Sequence, residues 1–240
     1  MDGLSLQLIV LVAVACAFTV SAAAGFGGSI ILVPALALAL GTKEGVALAA
    51  LLLAGNNVIK VFLYRRSLPF RAAAAVIVLI ACGSWLGASL LVAASESAVT
   101  LAVIVAFVVT FLAERMHLDR ALKRVGTPLL ALASGATSGF SGTSGPLKGI
   151  AMRSLDLDRA HLVGGLSLAS LVGDAVKASV FGEAGLLTAS AYTMAALAIP
   201  LMLAASMLGR HLNLRLGERG FARLFWAVMT AYTARLVFSL

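Results

Sequence analysis

The chain has 240 residues, 61% of them apolar and 12% charged, with 18 basic against 10 acidic residues. That charged share is about half that of a soluble domain, and a soluble surface needs roughly a quarter to a third of its residues charged. With a mean hydropathy of +1.06, the composition excludes a cytosolic enzyme, a nucleic-acid binder and a disordered tail, and makes lipid the main solvent. Cys16 and Cys82 both lie in apolar runs, so they imply no disulfide framework.

The first apolar run, 4–24, is long enough to cross a bilayer, for which about 20 apolar residues suffice. Its flank Met1-Asp2-Gly3 has no Lys or Arg, unlike a signal peptide, so the run is expected to stay as a membrane segment. It meets Gly25-Phe26-Gly27-Gly28-Ser29 and resumes as 30–40. Glycines this dense break a helix, and Pro34 fits the first turns of a new one. Residues 4–41 are therefore expected to form a broken hairpin. Helices follow at 44–64, 70–94 and 97–113. A second broken hairpin is expected over 125–152, interrupted at Ser141-Gly142-Thr143-Ser144-Gly145-Pro146. The last helices are 159–181, 186–209 and 221–240.

Basic residues orient these spans. One set of loops holds Arg65, Arg66 and Arg71, then Arg115, Arg120, Lys123 and Arg124, then Arg153 and Arg159, then Arg210, Arg215, Arg219 and Arg223; the opposite set holds only Lys43, beside Asp2, Glu44, Glu96 and Glu183. The basic set is assigned to the cytoplasm, which puts both termini outside it and makes each broken hairpin start and finish on one side. The fold expected is an all-α polytopic membrane protein of two inverted repeats, 1–116 and 117–240, each a broken hairpin followed by three helices. A shift of 117 residues lays 21–64 on 138–181 without a gap: Ser21 falls on Ser138, Gly25 on Gly142, Gly28 on Gly145, Asn57 on Asp174 and Lys60 on Lys177. Inverted repeats with broken helices near the midplane are a recurrent transporter plan.

The stretch 24–34, AGFGGSIILVP, its later partner 138–146, SGFSGTSGP, and the spacing between them resemble the TauE/SafE family, the sulfite exporter family of membrane permeases. The resemblance covers nearly the whole chain. It implies transport of small anions, often sulfur oxyanions or organosulfonates, at the cell membrane.

Several residues become candidates for that site. A helix restarting at Ser29 or Gly145 leaves unpaired amide N–H groups that suit an anion. Gly25, Gly27, Gly28, Gly142 and Gly145 let a ligand approach the backbone, and Ser29, Ser141, Thr143 and Ser144 offer hydroxyls. The competing reading is close helix packing in lipid, which is the one assigned to Gly83 and Gly87. Lys148 stands beside the second break, and Asn57 and Lys60, like Asp174 and Lys177, share a helix face at one-turn spacing; for the lysines, snorkelling to the interface is the alternative. Asp174 is the one acidic residue placed well inside a span, either in an ion pair with Lys177 or as carrier of a coupling proton. His117, His161 and His211 read as interfacial.

No metal-binding, nucleotide-binding or nucleophilic constellation is evident, so no enzyme, cofactor or metal is expected. Partners are a small anion, membrane lipid, and a coupling proton if Asp174 carries one; the chain is either a complete carrier or one protomer of a homo-oligomer. A passive anion channel and an intramembrane assembly factor or enzyme are the alternatives to a secondary transporter.

Overall fold

The computed structural model describes residues 10–19, 28–115, 126–144, 146–205 and 207–208. The described residues form α-helices and short connections, with no strand among them. In chain order the helices are α1 (Val10–Thr19), α2 (Gly28–Leu40), α3 (Thr42–Leu63), α4 (Phe70–Ala93), α5 (Glu96–Arg115), α6 (Thr127–Ser141), α7 (Leu147–Arg153), α8 (Arg159–Glu183) and α9 (Ala189–Ala205). A single 3-10 turn, Arg65–Ser67, links α3 to α4. Three helices, α3, α4 and α8, are long and apolar enough to cross a bilayer. The first glycine break, Gly145 and the expected helix 221–240 lie outside the described residues, as do His117 and His211.

Local chemistry sets the boundaries. Asp158 caps α8, its carboxylate accepting from the amides of Ala160 and His161 at 2.9 and 3.0 Å. α6 opens after Gly126 at φ 87° and closes on Gly142, whose left-handed φ of 77° suits glycine. The break that follows is one residue shorter on its N-terminal side, since Ser141 still belongs to α6, and α7 starts at Leu147, after the expected restart at Gly145, with Pro146 as its cap, because proline fits a helix start but cannot donate within one. α2 is described from Gly28 onward, and Pro34 lies inside it.

Side chains and close backbone approaches tie the helix ends into two layers. At one end, a Cβ on Gly164 would overlap the Ser67 carbonyl and one on Gly165 would sit 3.0 Å from Pro69. The Thr127 and Ser154 hydroxyls lie 2.6 Å apart. The α3–α4 turn, the start of α6, the end of α7 and the start of α8 therefore share an end, and with it Arg65, Arg66, Arg71, Arg153 and Arg159. The segment 127–153 leaves from this end and returns to it. At the other end, Glu96 accepts from the amides of Thr42 and Lys43, capping α3 from the start of α5. The Lys43 ammonium donates to the Val92 carbonyl at 3.0 Å, and the Thr42 and Thr100 hydroxyls are 2.6 Å apart.

The tightest pairing is α4 with α6. Gly83 and Gly87 on α4 face Gly135 and Gly139 on α6 so closely that a Cβ on any of the four would overlap backbone atoms of the facing helix. Gly83 and Gly87 thus do the packing work assigned to them from sequence. Two apolar cores result. One, toward the Glu96 end, gathers α1, α2, α3, α5, α9 and the far ends of α4 and α8 around Leu32, Leu48, Phe107 and Phe181. The other, toward the arginine end, joins α4, α6, α7 and α8 around Ile80, Leu130, Met152 and Ala169.

Two outcomes test this packing. Gly87→Leu forces α4 off α6 and lowers stability by about 1–3 kcal/mol or more, whereas Gly149→Ala, with nothing within 4 Å of its Cβ position, is neutral or stabilising in the same thermal unfolding assay. The α8 cap gives a pH signature. The His161 amide, then the His161 side chain, hold the Asp158 carboxyl below the usual carboxylate range. Its stabilisation is therefore complete above the unfolded value of about 3.9 and lost as pH falls through the lower folded value. Asp158→Ala should lower the unfolding temperature near neutral pH, with the difference shrinking toward zero under strong acid.

Candidate functional site

A polar layer separates the two cores. It begins with spacing: Asp174 and Lys177 stand one turn apart on α8, a pattern that brings an aspartate and a lysine together on a helix face. The Lys177 ammonium lies 2.7 Å from Asp174 Oδ1, with Lys177 only 1% and Asp174 5% exposed. Of the two sequence readings, the ion pair is the arrangement present, and Lys177 does not snorkel. A helix rise of 1.5 Å per residue puts Asp174 about 15 Å along α8 from Gly164, near mid-depth.

The pair is tied to two further helices. Asn57 of α3 donates its side-chain amide to Asp174 Oδ2 at 2.8 Å. Lys177 donates to the Ser138 hydroxyl on α6 at 2.9 Å. Both Asp174 oxygens are therefore engaged, and one aspartate–lysine unit joins α3, α6 and α8. The Asn57–Asp174 bond spans 117 residues of sequence, the offset that superimposed the two halves of the chain. α3 and α8 also start at that offset, at Thr42 and Arg159.

The other two lysines are less committed. Lys148, the second residue of α7, donates to the Ser170 hydroxyl of α8 at 3.0 Å. Lys60, one turn from Asn57 on α3, has no hydrogen-bond partner among the described residues. Both are half-buried. Both interact electrostatically with Asp174, and Lys148 also with Lys60 and Lys177. Three lysines thus act on one carboxylate, and one of them, Lys177, is in contact with it.

The start of α2 and the second break approach each other beside this layer. The Ser29 hydroxyl in the first turn of α2 lies 3.5 Å from that of Thr143, at the outer limit of a hydrogen bond. A Cβ on Gly142 would come within 2.7 Å of Val33 on α2, so the second break packs against the helix that follows the first. Ser144 is half-buried beside them, and Gly28 is buried at the α2 start.

Sequence reasoning missed Ser170 entirely and did not place Ser138 at the site. Their signal was present: Ser170 precedes Asp174 by one turn on the same face, and Ser138 repeats the turn spacing of Ser134 and Ser141. The bonding partners were not readable, since both lie across helix interfaces. His161 bonds Asp158 at 2.5 Å. Among the described residues no group of three or more His, Cys, Asp or Glu could hold a metal.

Long apolar helices arranged around a buried charged layer define a multi-pass membrane protein. Residues 9–236 match the family described as Sulfite exporter TauE/SafE. The chain belongs to that family, which consists of membrane permeases that move small molecules. No curated protein and no solved structure gives a match.

Asp174→Ala strands the buried Lys177 ammonium and should cost about 3–5 kcal/mol, whereas Asp174→Ala with Lys177→Met removes both charges and recovers most of the loss. Denaturant unfolding of the purified protein in detergent reads the difference. Equal losses in the single and double variants would deny the pair its role.

Proposed function

We propose that the protein is a secondary carrier of a small oxyanion, sulfite or a related sulfur oxyanion or organosulfonate, working by alternating access. The observation that carries this reading is the charge balance in the polar layer, where Lys60, Lys148 and Lys177 all act on Asp174 and no other acid pairs with them among the described residues. Asp174 is bonded by Lys177 and Asn57, which leaves Lys60 and Lys148 to be balanced by something else. Buried uncompensated charge is costly. An anion about 4 Å from one ammonium gains about 4 kcal/mol at an effective dielectric constant near 20, against about 1 in water. A small mobile anion supplies the missing charge.

In this reading Lys60 and Lys148 hold the anion and Ser170 orients Lys148. Gly28 and Ser29 of α2 and the second break, Gly142, Thr143 and Ser144, complete the site. Gly25, Gly27 and Gly145 are assigned to it from sequence. Asn57, Asp174 and Lys177 fix the charge layer rather than touch the solute in this conformation. The contact between Ser29 and Thr143 supports a shared site for the two breaks.

The reading also takes 1–116 and 117–240 as inverted halves. It is supported by the common offset of α3 and α8 and of Asn57 and Asp174. Gathering of the arginines at one end supports a cytoplasmic face there and termini on the other side. Because α4 and α6 touch backbone to backbone across the two halves, the bodies that rock mix elements of both.

Flux into vesicles containing the purified protein tests the reading. Sulfite or a sulfonate should enter with saturating kinetics, and Lys148→Gln should raise the half-saturating concentration about tenfold or more, the worth of a hydrogen bond to a charged group. Flux that rises linearly with concentration would favour a channel. No flux and no thermal shift across a panel of oxyanions would sink the anion reading. Dependence of the rate on an imposed pH gradient would add a coupling proton.

A further inference from the structure

We propose that Asp174 exchanges lysines during the transport cycle: it pairs with Lys177 in this conformation and with Lys60 in the oppositely facing one, and the anion takes whichever ammonium the carboxylate releases. The inference rests on the carrier reading above and adds to it the event that moves the solute from one side to the other.

Four observations carry it. First, the lysines occupy matching positions: Lys177 lies one turn after Asp174 on α8, and Lys60 one turn after Asn57 on α3. Asn57 is itself bonded to Asp174 at 2.8 Å, so the carboxylate stands between the two turns. Second, their surroundings differ. Lys177 is buried, 2.7 Å from Asp174 and 2.9 Å from Ser138, while Lys60 is half-buried and has no hydrogen-bond partner among the described residues. Third, the Asp174 carboxylate acts electrostatically on Lys60 already. Fourth, the bond between Asn57 and Asp174 joins α3 to α8, so relative movement of these helices must rearrange it.

Inverted repeats alternate access by moving one repeat against the other around a fixed site. Lys60 and Lys177 occupy equivalent positions, and among the described residues Asp174 is the one carboxylate that acts on Lys60 and pairs with Lys177. If α3 takes on the local geometry of α8, the carboxylate follows to Lys60 and Lys177 is uncovered. Each state then has one paired ammonium and one available to the anion, with the same formal charge in both. Asp174 and the anion compete for the same two partners, so release on one side accompanies re-pairing within the bundle. Lys148 serves the anion throughout. Asn57 is the positioning residue that keeps Asp174 within reach of both lysines.

The test combines stability, labelling and flux on the full chain, with Cys16 and Cys82 replaced by alanine and a single reporter cysteine at Gly149, where the Cβ position is open. Lys177→Gln should remain folded, because Lys60 receives the carboxylate. Lys60→Gln should unfold like the parent, because Asp174 keeps Lys177. The double variant, which removes both exchanging lysines, should lose far more stability than the sum of the two. A membrane-impermeant thiol reagent should then label Gly149→Cys at rates shifted in opposite directions by Lys60→Gln and Lys177→Gln, each holding one facing state. Sulfite flux should fall at least tenfold in both single variants and return in Lys60→Arg. Failure of Lys177→Gln to fold, additive losses in the double variant, or labelling shifts of the same sign would each overturn the exchange. Saturating sulfite flux through the parent in the same vesicles tests the carrier reading separately, so either can fail alone.

Discussion

One buried ion pair organises this molecule. Asp174 and Lys177 sit near the middle of a bundle whose exterior faces hydrocarbon, where an isolated charge is strongly disfavoured. Each needs the other, and each also reaches a neutral partner on a neighbouring helix: Asn57 on α3 and Ser138 on α6. The geometry of three helices is thereby referred to a single pair of charges. Apolar packing above and below cannot supply such register, because lipid and leucine are equally good neighbours for an apolar side chain.

Glycine contacts do the complementary work. Between α4 and α6, Gly83, Gly87, Gly135 and Gly139 bring the two backbones into contact, which gains dispersion energy where the hydrophobic effect is weak. That interface lies beside the charged layer, and it leaves two apolar cores on either side of a thin polar zone. A carrier needs this division: rigid parts that can turn as units, with a polar site where they meet. Ser84 and Ser134, buried in the same zone, extend its polar character across α4 and α6.

Much of this was readable from residues alone, and the reasons differ from element to element. The long spans emerged because hydropathy and length leave few choices: 44–64, 70–94, 97–113 and 159–181 correspond to Thr42–Leu63, Phe70–Ala93, Glu96–Arg115 and Arg159–Glu183. The Asp174–Lys177 pair followed from one-turn spacing and the cost of a lone carboxylate. Partners across helix interfaces did not follow. Turn spacing says which side chains share a face but not which helix that face meets, so the Lys177–Ser138 and Lys148–Ser170 bonds were invisible. The pairing of α4 with α6 was hidden for the same reason, since either glycine pair could have served a different neighbour.

The account stands on the claim that the excess of ammonium groups at mid-depth is a seat for a negatively charged solute. A crystal structure of the protein with a selenium oxyanion, located by its anomalous scattering, addresses that claim most directly. The account predicts a peak inside the bundle between Lys60 and Lys148, beside Ser170. Scattering confined to the arginines at the bundle end, with none in the polar layer at saturating anion, would contradict it.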